Sequence, residues 1–87
     1  MYRLMQMQGF PLMNRLAQLV LTASIDGVYA ERNTDASAYL GTSYRHLTQT
    51  LAEFVDKGYL IKGSCGYRIR NKASLMLLAS EMEMEHR

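Results

Sequence analysis

At 87 residues and 48% hydrophobic content the chain holds one compact domain with a modest core and has no room for a second. No apolar run approaches the ~20 residues of a bilayer-spanning helix, and the start lacks a signal-peptide pattern, so a cytoplasmic domain without a membrane partner is expected. Cys65 stands alone, which excludes an internal disulfide and any zinc finger or iron–sulfur cluster built on cysteines.

The first segment, Met1 to Gln8, is rich in methionine and glutamine and is set apart by Gly9, Phe10 and Pro11. Residues 1–10 therefore read as a linker or the end of an upstream helix, with the domain proper at 11–87. Pro11 suits a helix start, since its missing N–H would lack a partner there anyway. Leu12, Leu16, Leu19, Val20 and Ala23 then recur at helical spacing as far as Ser24. Asp26-Gly27 is a turn pair, and Val28-Tyr29 can form a very short strand.

Asn33 or Thr34 can cap the next helix, in which Ala36, Tyr39 and Leu40 give a small inner face. Gly41, Thr42 and Ser43 form a turn, because glycine enters the left-handed region without steric cost. Thr42 or Ser43 can cap a longer helix, 43–57, whose Leu47, Leu51, Phe54 and Val55 fall at i, i+4, i+7 and i+8. At 100° per residue, Arg45, Gln49, Ala52 and Asp56 lie opposite that stripe, with Thr48 and Glu53 at its flanks. Tyr44 falls near the stripe, so packing and surface contact are both open to it.

After Gly58 the period changes. Tyr59 to Lys62 and Tyr67 to Arg70 are β-prone around the turn cluster Gly63-Ser64-Cys65-Gly66, giving a hairpin at 59–70. Tyr67 and Ile69 alternate with Arg68 and Arg70, so one face is apolar and the other cationic. Asn71 can cap a last helix that packs through Leu75, Leu78, Ala79 and Met82. The order is that of an α+β winged helix-turn-helix: a three-helix core, a β-hairpin wing and a C-terminal helix.

Charge follows this architecture. Residues 41–72 carry six cations against Glu53 and Asp56, a net +4, whereas 1–40 balance and the tail is acidic. A basic surface beside a helix-turn-helix points to phosphate. The expected DNA contacts are Thr42, Ser43, Tyr44, Arg45, His46, Thr48 and Gln49 in the major groove, with Lys62 and Arg68 on the backbone. His46 has no cysteine, histidine or carboxylate at ligand spacing, so a phosphate or surface role is expected for it and not a metal one.

Chemistry of other kinds finds no footing. No nucleophile sits beside a paired base, no phosphate-binding loop is present, and Glu81, Glu83 and Glu85 point in different directions along a helix. The domain reads as a non-enzyme. The alternative is a winged helix used as a protein–protein interaction module, which would show an apolar face where this chain places Arg45, Thr48 and Gln49.

The strings Ala38 to Leu47 (AYLGTSYRHL), Leu51 to Ile61 (LAEFVDKGYLI), Gly66 to Ile69 (GYRI) and Leu75 to Ala79 (LMLLA) resemble the DNA-binding domain of the Crp/Fnr family of bacterial transcription regulators, nearest its YeiL-like members. Arg15-Leu16-Ala17 agrees more loosely. The resemblance implies a sequence-specific regulator that binds double-stranded DNA as a homodimer, with RNA polymerase as a further partner the family admits. It also implies an upstream effector domain, cyclic-nucleotide-binding-like, and a dimerisation helix of which residues 1–10 would be the stump. Neither lies in this segment, so no cofactor is expected in it, and the chain is expected to be an excised or naturally shortened C-terminal domain.

The DNA-reading positions depart from the family. After the turn serine the common pattern is arginine, then glutamate, then a second arginine four residues on. Here Tyr44, Arg45 and Gln49 occupy those places. Arg45 removes an acceptor that would suit a cytosine amino group and offers donors suited to guanine or phosphate, so a different half-site is expected. Ser37, where alanine is common, and Thr50, where an apolar residue is usual, are milder departures.

Overall fold

A computed structural model describes residues 11–85 of the chain, so the linker expected over 1–10 lies outside the described residues. The elements are α1 (Leu12–Ala23), β1 (Val28–Tyr29), α2 (Asn33–Leu40), α3 (Tyr44–Asp56), β2 (Leu60–Lys62), β3 (Tyr67–Ile69) and α4 (Lys72–Glu85). The strands make one antiparallel sheet in the order β1-β3-β2. This is the α+β winged arrangement read from the sequence.

The stripes meet in a single core. Leu16, Val20, Leu47, Leu51, Phe54 and Leu75 are sealed from solvent, each worth ~1.5–3 kcal/mol of transfer free energy. Phe54 at the end of α3 packs on Tyr59 with ring centroids 5.7 Å apart, a tilted contact that joins the helix to the hairpin. α4 closes the bundle against α1, and the buried Asn14 ties them by donating through Nδ2 to the Leu78 carbonyl at 2.8 Å and to Glu81 Oε1 at 2.7 Å. The leucine pattern carried no sign of that polar tie.

Turn chemistry fixes the ends. Asp26 and Gly27 take positive φ, 55° and 78°, and close a tight turn in which Ile25 and Val28 exchange both backbone hydrogen bonds. Asn71 caps α4, its Oδ1 accepting from the Ser74 N–H at 3.2 Å. Two details of α2 differ from expectation. Its N-cap is Arg32 and no side chain caps it, so Asn33 already lies inside the helix. Tyr39 is 61% exposed instead of facing inward. The eight-residue helix buries Ala36, Ser37 and Leu40, whose common direction is about 100° from Tyr39. Ser37 fits the interior because its hydroxyl donates to the Thr34 carbonyl at 3.0 Å.

Candidate nucleic-acid interface

α3 is aimed by the turn before it. Gly41 is left-handed at φ 68°, ψ 36°, the Thr42 N–H reaches back to the Ser37 carbonyl at 3.0 Å, and the Gly41 N–H donates to the Ala38 carbonyl at 3.3 Å. This paired 6→1 and 5→2 pattern ends α2 and turns the chain sharply. Arg15 of α1 donates from Nη1 to the Leu40 carbonyl at the same corner, tying α1 to the turn. Ser43 then caps α3, its Oγ accepting from the His46 N–H at 3.0 Å. Thr42 Oγ1 lies 3.3 Å from His46 Nδ1, so Thr42, Ser43 and His46 form one small polar knot at the helix start.

Along α3 the buried Leu47, Thr50, Leu51 and Phe54 hold one side to the core. Thr50 is accommodated because its hydroxyl donates to the His46 carbonyl at 2.9 Å. Arg45, His46 and Gln49 are exposed on the other side, Arg45 and Gln49 one turn apart. Tyr44 is 54% exposed, so its side chain lies at the surface and not in the core. Thr48 is half-buried and spends its proton on the Arg45 carbonyl at 2.9 Å. Glu53, the flanking anion, lies 4.0 Å from Lys57 one turn on, a solvated pair of small energetic weight.

The wing comes back beside α3. Across the antiparallel ladder Lys62 is opposite Tyr67, and Ile61 is opposite Arg68. Residues paired in this way share a face of the sheet. Lys62 and Tyr67 therefore stand on one face with Leu60 and Ile69, while Arg68 stands on the other with Ile61 and Val28. Both cations are exposed, but the structure separates them. Lys62 and Tyr67 line an open cleft of about 410 Å³ with Tyr44, Thr48, Ala52, Val55 and Asp56 of α3 and Asn33 of α2.

The expected contacts thus fall into three groups. Thr42, Ser43 and His46 sit at the start of α3; Tyr44, Thr48 and Lys62 border the cleft; Arg45 and Gln49 project from the adjoining row. Arg68 is placed with none of them. Sequence reasoning passed over Asn33 and Tyr67 as surface residues. Tyr67 was legible in principle, because hairpin register sets it opposite Lys62, whereas Asn33 arrives by tertiary packing alone. Cys65 is exposed and unpaired near the wing tip.

Behind the wing, Tyr29 is 1% exposed and its hydroxyl has no hydrogen-bond partner among the described residues. Burial, with Glu31 and Tyr67 nearby, pushes the phenol up to about 12. Among the described residues no cluster of three or more histidine, cysteine or acidic side chains is placed to hold a metal, and no helix is long and apolar enough to cross a membrane.

Over 84 residues the chain is 48% identical to the regulatory protein YeiL of Escherichia coli O157:H7, a match covering 97% of the chain and 38% of that relative. The chain therefore spans about two fifths of the length of the curated relative it matches. Its fold is similar to the crystal structure of a CRP/FNR-family transcriptional regulator from Thermus thermophilus, with a TM-score of 0.78 at 21% identity over 91% of the chain and 46% of that protein. No family model matches the chain.

Proposed function

As the chain is a Crp/Fnr-type regulator C-terminal domain by sequence and fold, we propose that it binds duplex DNA with sequence preference, the first turns of α3 lying in the major groove and the wing beside the phosphate backbone. The observation that carries this reading is the exposed row of Arg45 and Gln49 at the start of a helix whose opposite side is locked into the core. Both side chains make bidentate contacts, arginine with guanine and glutamine with adenine. The knot of Thr42, Ser43 and His46 is suited to hold the helix end against a phosphate.

The half-site differs from the family's usual one, since Arg45 is a donor where the family pattern has an acceptor. Selection from random DNA tests this, and recovery of the usual family sequence counts against it. In the intact regulator two such domains, as a homodimer in the cytoplasm, engage half-sites about one helical turn (~34 Å) apart. RNA polymerase is the further partner, and an effector domain supplies the signal. This domain is a binding module, not an enzyme.

The direct test is titration against labelled duplex at two salt concentrations. Neutralising three or four phosphates makes the affinity fall by tens-fold or more between roughly 50 and 200 mM salt. Absence of binding at low salt sinks the proposal and leaves the protein-interaction reading in its place.

A further inference from the structure

The cleft between α3 and the wing is lined by the polar residues Asn33, Tyr44, Asp56, Lys62 and Tyr67, contributed by α2, α3 and the two strands of the hairpin. Asn33 is not used as a cap, since the α2 cap position is Arg32 and no side chain bonds to that helix end. None of these five polar groups has a hydrogen-bond or ion-pair partner among the described residues. The half-buried pair Asn33 and Tyr67 are neutral residues of the cleft lining that each carry a side-chain donor, and Lys62 stands opposite Tyr67 in the ladder, on the same face of the sheet. Neutral donors beside one cation form a group that can receive a phosphodiester oxygen.

Asp56 opposes this. It is exposed and shares a row with Tyr44, Thr48 and Ala52 at helical spacing, so it stands about 18 Å further along the axis than Tyr44. The only other anion between Gly41 and Lys72, Glu53, is beside Lys57. Asp56 thus leaves a negative charge at one end of a cleft whose other polar groups suit an anion.

We infer that this cleft is a backbone-gripping site in which Asn33 and Tyr67 donate to a DNA phosphate alongside Lys62, while Asp56 keeps the backbone away from the far end of α3. The inference rests on the duplex-DNA reading above and adds three residues to it. The Asn33 and Tyr67 contacts are uncharged, so losing either lowers affinity without releasing fewer counterions. The Asp56 effect is purely electrostatic and fades with salt.

The test is duplex titration of the full chain carrying Asn33→Ala, Tyr67→Phe or Asp56→Asn at low and high salt, with melting curves showing that each variant is folded. Asn33→Ala and Tyr67→Phe each weaken binding roughly 3–10-fold with an unchanged salt slope. Asp56→Asn tightens binding roughly 2–5-fold at low salt and matches the parent at high salt. The inference is overturned if the parent binds duplex and either neutral-donor variant binds as the parent does, or if Asp56→Asn has no effect. A parent chain that binds no duplex at all removes the DNA reading itself.

Discussion

Replacing Gly66 with alanine tests the packing of the wing at its tightest point. Gly66 has φ 146°, a region that side chains strain to enter, and an added Cβ would sit 2.3 Å from the Tyr29 carbonyl oxygen and 3.0 Å from Ala30 Cα. Both obstacles are backbone, so no side chain can swing aside; either β1 leaves β3 or the turn refolds. The backbone strain alone is ~1–3 kcal/mol, and disrupting a ladder of two residue pairs brings the expected loss to about 2–4 kcal/mol. For a domain of this size that lowers the melting temperature by roughly 10–30 °C, read by far-ultraviolet circular dichroism. Gly63→Ala is the internal control: its φ is not positive, its Cβ would meet only the Gly66 carbonyl at an ordinary 3.5 Å, and the expected change is within about 0.5 kcal/mol. A Gly66→Ala protein that melts with the parent, or a Gly63→Ala protein as damaged as Gly66→Ala, refutes the reasoning.

Five further outcomes are expected. Tyr29→Phe removes a buried hydroxyl that has no partner among the described residues, so it is neutral or stabilises by up to ~1 kcal/mol; a destabilisation would show that the hydroxyl is bonded. The same residue sets an alkaline limit. An unfolded tyrosine ionises near 10 and the folded one only at about 12, so the unfolded chain holds fewer protons in between. The Tyr29 contribution is therefore complete below pH 10 and falls by up to ~1.4 kcal/mol per pH unit as pH rises to 12; denaturation series in that window must be flatter for Tyr29→Phe. Ser43→Ala costs about 1 kcal/mol in urea denaturation while Ser43→Gly costs only a few tenths, and equal losses would mean that the cap to His46 is not the cause. Arg45→Ala costs roughly 1–3 kcal/mol on the preferred site and relaxes base choice there, whereas uniform weakening over all sequences marks a phosphate contact. Lys62→Ala lowers the salt slope by about one and Arg68→Ala by clearly less, because they stand on opposite faces of the sheet; equal reductions contradict that separation.

Most of the fold was legible because local rules and tertiary packing agree here. The stripes Leu12-Leu16-Val20 and Leu47-Leu51-Phe54 are the core stripes of the structure, and Gly41, Ser43 and Asn71 perform the local roles their chemistry suggested. The failures occur where the sequence pattern is short or the signal non-local. An eight-residue helix gives too few turns to fix its buried face, so Tyr39 was turned the wrong way and Ser37 read as a blemish. Asn14 lies on the side of α1 away from the leucine stripe, and only its hydrogen bonds to Leu78 and Glu81 across the bundle explain its burial. At the interface, the α3 residues could be ordered by angle, but the relation of the wing to α3 could not. Lys62 and Arg68 looked equivalent as strand cations until register put them on opposite faces.

The pairing of Val28-Tyr29 with Tyr67-Arg68 has a consequence for how this domain holds its shape. It joins points nearly forty residues apart, and the whole stretch from α2 through β2 lies inside the loop so closed. Closing a loop of that length costs entropy before any contact within it repays the loss. The sheet is therefore a clasp around the helix-turn-helix and not an appendage to it. Trimming the chain to α2 and α3 removes the clasp, and a lesion at β1 loosens the packing that holds α3 in place.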